Sequence, residues 1–369
     1  MPTPRHLLVL PLEKDAPAHP ASATAAARWT SFVAATLTSI LVAACGGGGG
    51  GPAIDVPRPP VSTSPPGQAA NAAVDDFIQA ELAAKNIPGL ALAVIQNGKV
   101  VYSKGYGYAD LARKIPVTTE QRFQIGSITK QFVATAVMIL VDEGRIGLDQ
   151  KIGSYLGSVP PQWQEMTVRH LLNHSSGLKE NTYFPGLDSH GPYSSEQMLA
   201  TLKGDPPIFA PGSSWAYSNP GYELLGILIE KVTGKFYGDF IEDRIFVPLG
   251  MTSARVIDSI DTNNSATGYV RKGSANEAQY LATLSTGRQS VIRFGAGGIE
   301  MSATDLAKWD AALLTEKILK QSSLALMWTG GPLAFDHGGA VQGDTYYGMG
   351  WFYNNFRGHR KHLVIHKSD

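Results

Sequence analysis

The chain contains one cysteine among its 369 residues, so an intramolecular disulfide cannot form. It also lacks an excess of charge of either sign, since 31 basic side chains balance 31 acidic ones. The chain therefore lacks the net positive charge that favours binding to nucleic acid or to an anionic membrane surface. No repeat of about 20 to 50 residues indicates a solenoid or a propeller. We therefore expect a small or neutral partner and no binding of nucleic acid.

Long hydrophobic runs are also missing, apart from one stretch near the N-terminus. Residues 31 to 45 read SFVAATLTSILVAAC and follow Arg28, which is typical of a secretory signal and too short for a good membrane span. The ending LVAAC resembles a bacterial lipobox, with Val42 where leucine is more usual. We expect residues 1–45 to be a leader that directs export and is cleaved before Cys45. Acylation of the Cys45 thiol would then anchor the protein on the periplasmic side of a bacterial membrane, whereas a plain signal peptide is the alternative.

Residues 46–70 are rich in glycine and then in proline, and they offer almost nothing from which to build a core. We interpret this stretch as a flexible linker with a reach of roughly 25 to 30 Å. Residues 71–369 show no comparable break. They are interpreted as one domain.

Hydrophobic patterns along this domain predict an α+β fold. Residues 71 to 87 carry apolar side chains at helical spacing, and Asn97-Gly98 between two apolar runs predicts a hairpin. Further helices are predicted in FQIGSITKQFVATAVMILVDEG and around residues 167–173 and 195–203. The strand-like pieces YYGMGWFYN and HLVIH close the sequence. Strands at both ends with helices between them indicate an α+β body.

Capping signals predict where two more helices begin. Asn219 is the expected N-cap of NPGYELLGILIEKVTG, with Pro220 at the first helical position and Gly234 as the stop. Ser302, followed three residues later by Asp305, predicts a capping box at the start of a helix of about a dozen residues.

The predicted helix within residues 123–144 is almost wholly apolar, yet it begins with Ser127 and Lys130. At positions i and i+3 these side chains share one helix face, so the hydroxyl and the amine lie close together. Burial lowers the pKa of an amine, and a neutral amine can activate the serine as a nucleophile. Backbone N–H groups at the helix N-terminus would stabilise an oxyanion. The alternative is a capping serine with Lys130 extended towards solvent.

The Ser-x-x-Lys pattern alone is weakly specific, because Ser176 and Lys179 repeat it in HSSGLKE. Polar loop residues follow that second copy, so burial is not expected to lower the pKa of its lysine. A second signal supports the first copy. Tyr217 and Asn219 form a Tyr-x-Asn triplet that lies 90 residues after Ser127 and just before a predicted helix.

Together these elements resemble the serine β-lactamase and penicillin-binding protein family. The stretches TVRHLLNHSSGL, FIEDRIFVPLGM, GAGGIEMSATDLAKW and YGMGW also look like that family and occur in its order, from about residue 71 onwards. The triplet most resembles the branch of class C β-lactamases, D-aminopeptidases, DD-carboxypeptidases and esterases. The resemblance implies a β-lactamase/transpeptidase-like fold, with an antiparallel sheet flanked by helices and a mainly helical subdomain. A second Tyr-x-Asn triplet, Tyr353 and Asn355, shows that this pattern also recurs outside the family context.

Carried over by position, the resemblance makes Ser127 the acylated nucleophile and Lys130 its activating partner. Tyr217 would pass the serine proton to the leaving group or the deacylating water, either as a phenolate or as a hydrogen-bond relay. Asn219 would orient the substrate or Lys130. The alternatives are a buried ring for Tyr217 and a helix cap for Asn219.

The family's third element is a strand with Lys-Thr-Gly or His-x-Gly that lines the cleft opposite the nucleophile. Its candidate here is LVIHKSD, in which His366, or Lys367 with Ser368, would bind substrate. The expected glycine is replaced in either register. Family members continue with further strands and a closing helix. The resemblance therefore predicts a domain that lacks its last strands and helix.

Other motifs do not indicate a bound group. His170 and His174 stand at i and i+4, as zinc ligands on a helix can, but HLLNH lacks the glutamate of such sites and no third ligand suggests itself. The glycines in GYGYAD and in GAGG lack the context of a phosphate-binding loop. We expect no metal and no cofactor.

The sequence thus predicts an exported serine hydrolase that acts through an acyl-enzyme on Ser127. Its expected substrates are small molecules or cell-wall peptides: an ester, an amide of a D-amino acid, or a β-lactam. One alternative is a non-catalytic binding or sensor protein of the cell envelope with the same fold. Another is an inactive fragment.

Overall fold

The computed structural model describes residues 6–8, 39–44, 72–180, 194–257, 264–272, 279–282, 295–330, 345–356 and 359–363. Within these ranges, none of the helices has both the length and the apolar character that a membrane crossing requires.

Helices fill the middle of the described chain, and the longest has 15 residues. In chain order they are α1 Ala72–Lys85, α2 Thr129–Asp142, α3 Gly153–Leu156, α4 Val168–Leu172, α5 Ser195–Leu202, α6 Asn219–Thr233, α7 Tyr237–Ile241, α8 Val247–Leu249, α9 Ala303–Ala312 and α10 Gln321–Met327. A 3-10 turn, Gly126–Ile128, leads directly into α2.

Strands lie before, between and after these helices in the sequence. They are β1 His6–Leu8, β2 Ser39–Ala44, β3 Gly89–Gln96, β4 Lys99–Asp110, β5 Ile115–Pro116, β6 Phe123–Gln124, β7 Arg255–Val256, β8 Tyr269–Lys272, β9 Gln279–Ala282, β10 Ile299–Met301, β11 Thr345–Tyr347, β12 Phe352–Phe356 and β13 His359–Leu363. Eight of them form one sheet in the order β11-β12-β13-β1-β2-β3-β4-β5. Its pairings are antiparallel except where β1 meets β13 and β2. The α+β fold predicted from the sequence is confirmed.

Strand β3 is buried on both faces, because alternate side chains of a strand point to opposite sides of the sheet. Ala91, Ala93 and Ile95 belong to the main hydrophobic core. The intervening residues, Leu90, Leu92 and Val94, pack with residues of α1 in a second, smaller cluster. The sheet therefore has α1 on one face and the main core, with α9 against β3, on the other.

Two strands of the large sheet come from the predicted leader. Strand β2 runs antiparallel to β3, with Ser39 opposite Ile95 and Ala44 opposite Leu90. The sequence interpretation begins the domain at residue 71, whereas the structure joins β1 and β2 to its sheet. Cys45 lies outside the described residues, and its acylation stays a prediction.

The local patterns predicted several elements correctly. The Asn97-Gly98 turn has positive φ at both residues and joins β3 to β4, as a tight hairpin requires. Gly234, with φ of 72°, ends α6. The predicted helices at 71–87, 167–173 and 195–203 correspond to α1, α4 and α5.

The predicted N-cap of α6 is wrong by one residue. Ser218 occupies the extended position before the helix, and its hydroxyl accepts the N–H of Gly221. Because Ser218 provides the cap, the amide of Asn219 is available for other partners.

The capping box predicted at the start of α9 is only half formed. The hydroxyl of Ser302 accepts the N–H of Asp305, as predicted. The Asp305 carboxylate instead accepts from Ser253 and from Lys308. Asp305 thus ties the start of α9 to the chain near Ser253 rather than closing the cap.

Candidate active site

The predicted nucleophile lies at the junction of the 3-10 turn and α2. Ser127 is the middle residue of the turn and is half-buried, whereas every residue from Thr129 to Leu140 is buried. The turn starts at Gly126, whose φ is 49°. The backbone thus holds the Ser127 hydroxyl at the edge of the core, with Lys130 in the first turn of α2 directly behind it.

The amine of Lys130 is held at three points, and the side chain is only 1% exposed. Its Nζ donates to Ser127 Oγ at 3.2 Å, to Asn219 Oδ1 at 2.6 Å and to the carbonyl oxygen of Ala296 at 2.8 Å. These partners come from three separate parts of the chain. The predicted alternative, in which Lys130 extends towards solvent, is wrong.

Burial lowers the pKa of the Lys130 amine to about 7, although the carboxylates of Glu180 and Glu223 oppose this shift. Two aromatic rings also lie near the amine, since Nζ is 4.8 Å from the ring centre of Tyr217 and 5.5 Å from that of Tyr222. At neutral pH a substantial share of the amine is therefore unprotonated. In that form its two N–H groups can serve Asn219 and Ala296, while its lone pair can accept the proton of Ser127.

The phenol of Tyr217 donates to Ser127 Oγ at 2.8 Å. Its ring lies 4.4 Å from the ring of His174 and stacks with Phe352 at 6.3 Å. Burial raises the pKa of this phenol above its usual range. Of the two forms left open by the sequence, the geometry favours a neutral hydrogen-bonding phenol over a phenolate.

The side chain of Asn219 is fixed from both sides. Its Oδ1 accepts from Lys130, while its Nδ2 donates to Glu180 Oε1 at 2.6 Å. The backbone N–H of Asn219 donates to the other oxygen of Glu180 at 2.7 Å. This bidentate contact fixes which end of the amide faces the amine.

His174 supports the segment that carries these residues. It is fully buried with φ of 61°, and its Nδ1 accepts the N–H of Ser218 at 3.1 Å. Burial lowers its pKa well below the usual value, so the ring is neutral. His170 has a different partner, since its Nδ1 accepts the N–H of Thr167 in a capping box. The part of the chain that the structure describes holds no group of three His, Cys, Asp or Glu side chains suited to a metal ion.

Residues of the second Ser-x-x-Lys copy and of the second Tyr-x-Asn copy have partners outside the site. The Ser176 hydroxyl is buried and accepts the N–H of Leu178, while Lys179 is exposed. The phenol of Tyr353 donates to the carbonyl oxygen of Gly330 and accepts that residue's N–H.

Three groups at the site were missed by sequence reasoning. Glu180 and the Ala296 carbonyl gave no signal, because a loop carboxylate and a backbone oxygen look ordinary in a sequence. Glu223 did give one, since it is the only charged residue in the otherwise apolar run YELLGILI of α6. The predicted substrate-binding residues His366, Lys367 and Ser368 lie outside the described residues.

Comparisons with known proteins show which family the chain resembles. The family profile described as Beta-lactamase matches residues 74–367. Penicillin-binding protein 4* of Bacillus subtilis (strain 168) is 31% identical over 284 residues, which are 72% of this chain and 60% of that protein. The chain thus spans about three fifths of the length of this relative.

Two solved structures show the same fold. The octameric penicillin-binding protein homologue from Pyrococcus abyssi is 29% identical with a TM-score of 0.66, and the match covers 79% of this chain and 67% of that one. The D-amino acid amidase from Ochrobactrum anthropi SV3 in complex with D-phenylalanine is 27% identical with a TM-score of 0.65, over 79% and 82% of the two chains. The predicted fold and family resemblance are confirmed. This chain belongs to the β-lactamase family.

Proposed function

We propose that this chain is a serine hydrolase that forms an acyl-enzyme on Ser127. The observation that carries the proposal is the amine of Lys130, which is buried, has a pKa near neutrality and contacts the hydroxyl of Ser127. A lysine placed in this way is a base rather than a structural cation.

In the acylation step, the neutral amine of Lys130 takes the proton of Ser127 as Oγ forms a bond to the substrate carbonyl carbon. The carbonyl electrons move onto oxygen and return when the bond to the leaving group breaks. The leaving group takes a proton from the hydroxyl of Tyr217, and the ammonium of Lys130 restores that hydroxyl. The charge and proton count of the site are then the same as before acylation.

Deacylation reverses these transfers with water in place of the leaving group. Water attacks the acyl carbon and loses a proton through Tyr217 to Lys130. The Ser127 oxygen then leaves and takes that proton back. Asn219 keeps the amine aimed at Ser127, because its oxygen accepts from Nζ while Glu180 holds its nitrogen.

The proposed substrates are small esters, amides of D-amino acids, cell-wall peptides and β-lactams. The support comes from relatives, because the D-amino acid amidase and the penicillin-binding protein homologue share the fold over more than three quarters of this chain. A panel of p-nitrophenyl esters, nitrocefin and D-alanyl amides separates these classes by the rate of product release.

The decisive experiment is covalent labelling of Ser127. A fluorophosphonate or a penicillin should add its mass to the peptide that contains Ser127, and Ser127→Ala should abolish the adduct. Ser176→Ala is the matched control and should keep it, since the hydroxyl of Ser176 is buried. No adduct on the wild-type chain, or one that persists in Ser127→Ala, refutes the proposal. Binding of a cell-wall peptide without product would then favour the sensor alternative.

We also infer that the protein is exported and anchored by a lipid on Cys45, and that cleavage before Cys45 removes β1 and β2 from the sheet of the mature protein. The support is the sequence LVAAC at the end of an apolar run, followed by a glycine-rich linker. Metabolic labelling with radioactive palmitate should mark the protein in a bacterial host, and Cys45→Ala should remove the label. A labelled Cys45→Ala variant, or an unlabelled wild type, contradicts this inference.

A further inference from the structure

Glu223 is a carboxylate inside the main core, one turn after Asn219 on α6. Its side chain is only 4% exposed, and its neighbours on the helix are apolar. Deep burial of a carboxylate is unfavourable unless hydrogen bonds or an opposite charge compensate for it. Its partners therefore indicate what the residue does.

Both carboxylate oxygens of Glu223 accept hydrogen bonds from one loop. The N–H of Gly295 donates to Oε2 at 3.0 Å, and the N–H of Ala296 donates to Oε1 at 3.2 Å. The loop also packs tightly on α6, because a Cβ at Gly295 would lie 2.3 Å from the carbonyl oxygen of Tyr222. Glu223 thus fixes the path of this loop just before β10.

The same loop contacts the proposed base. Ala296 donates its N–H to Glu223 and accepts, through its carbonyl oxygen, from Nζ of Lys130 at 2.8 Å. One residue therefore joins the carboxylate to the amine. A shift of this backbone would remove one of the three contacts that orient Nζ.

We propose that Glu223 is a positioning residue for the Lys130 amine, which it orients and tunes through the backbone of Gly295 and Ala296. The proposal rests on the function proposed above, in which that amine is the base. Glu223 itself touches neither Ser127 nor the position of a substrate carbonyl, so its effect is indirect.

Two charge effects act together at this place. Burial raises the pKa of Glu223, while the amine of Lys130 and the two backbone N–H donors lower it. Both oxygens of Glu223 accept backbone N–H groups, which is the arrangement of an ionised carboxylate, since a carboxylic acid would carry a proton on one of them. In this form the negative charge of Glu223 favours the protonated form of Lys130, as does that of Glu180. Removal of the Glu223 charge should therefore make the neutral amine available at lower pH.

Other groups near Lys130 do not carry a charge that would mask this effect. Tyr217 and Tyr222 are phenols whose pKa values burial raises, and His174 is held neutral by burial. Glu180, whose carboxylate accepts from Asn219 at the N-terminus of α6, is the other charged group that acts on the amine, and it is unchanged in the variants tested.

The test compares Glu223→Gln with Glu230→Gln. Both residues lie on α6, but the carboxylate of Glu230 accepts from the hydroxyl of Ser195 on α5. The readout is the single-turnover rate of fluorophosphonate addition to Ser127 as a function of pH. Glutamine places a donor against one of the two loop N–H groups, so we expect the plateau rate to fall roughly tenfold or more.

In the plot of labelling rate against pH, the midpoint of the rise from acid pH should also move to lower pH in Glu223→Gln. It should be unchanged in Glu230→Gln. A purely structural role for Glu223 would change the melting temperature but not this midpoint. A Glu223→Gln variant with the wild-type rate and the wild-type midpoint overturns the proposal.

A second readout does not depend on catalysis. In protein labelled with 13C-lysine, the Cε signal of Lys130, assigned by its absence in Lys130→Arg, reports the protonation of the amine directly. Its midpoint should fall in Glu223→Gln. If wild-type Ser127 is not labelled, the proposed function fails, but this titration still shows whether Glu223 changes the protonation of the Lys130 amine. An unchanged midpoint in Glu223→Gln refutes that effect of Glu223.

If Glu223→Gln does not fold, a variant with a shorter carboxylate provides the test. Glu223→Asp keeps the charge but cannot reach both N–H groups of the loop. We expect it to keep the Cε midpoint near the wild-type value and to lower the rate of labelling. A wild-type rate in a folded Glu223→Asp would contradict the positioning role.

Discussion

The chain contains the pattern Ser-x-x-Lys twice, and the two copies are buried in opposite ways. At Ser127 and Lys130 the hydroxyl is half-exposed and the amine is 1% exposed. At Ser176 and Lys179 the serine is 1% exposed and the lysine is exposed. A nucleophile must be reachable by substrate, while its base must be kept from water to stay neutral. The first copy meets both conditions and the second meets neither.

Replacement of the two serines gives the largest expected contrast between the copies. Ser127→Ala should lower kcat/KM by at least about 10⁴-fold, because it removes the attacking oxygen. Ser176→Ala should keep the activity and lose about 1 kcal/mol of stability, since the N–H of Leu178 loses its acceptor. Ester hydrolysis and thermal unfolding measure the two effects. Equal loss of activity in both variants would mean that burial does not distinguish the copies.

Replacement of the two lysines tests the base. Lys130→Met should lower kcat/KM by about 10³-fold, because proton transfer from Ser127 loses its acceptor. It should still fold, since methionine fills a similar volume and removes an amine whose burial is energetically unfavourable. Lys179→Met, on the exposed side chain, should change neither activity nor stability. A Lys130→Met variant with near wild-type rates would exclude the amine as the base.

The two tyrosine triplets extend the comparison. Tyr217→Phe should lower kcat/KM by about 10²-fold, since the leaving group loses its proton donor. Tyr353→Phe should keep the activity and cost about 1 kcal/mol of stability through its lost contacts with Gly330. If kcat for esters with good leaving groups falls as much as for amides in Tyr217→Phe, the phenol does not protonate the leaving group.

Local patterns explain why part of the molecule was predictable from sequence. The hairpin at Asn97-Gly98 and the stop at Gly234 depend on the backbone freedom of a few neighbouring residues. Ser127, Lys130, Tyr217 and Asn219 were named from motifs, and the structure brings all four together, although their roles stay predictions.

The rest of the site depends on contacts between distant segments. The Ala296 carbonyl meets Lys130 across 166 residues of chain, and backbone oxygens carry no sequence signal. The error at Asn219 has a similar cause. A serine and an asparagine are both good caps, and here Ser218 caps the helix while the side chain of Asn219 contacts Lys130 and Glu180.

The pH dependence of hydrolysis gives the finest test of the contrast. Burial lowers the pKa of Lys130 to about 7, so the amine is protonated and inactive below that pH and neutral above it. The value of kcat/KM should therefore fall about tenfold per pH unit below neutrality and level off above it. Lys179→Met should leave the midpoint unchanged, whereas Glu180→Gln should move it lower, since the Glu180 charge favours the protonated amine. A midpoint near 10 would mean that the Lys130 amine behaves like an exposed lysine. The two Ser-x-x-Lys copies would then differ only in whether a substrate can reach the serine hydroxyl.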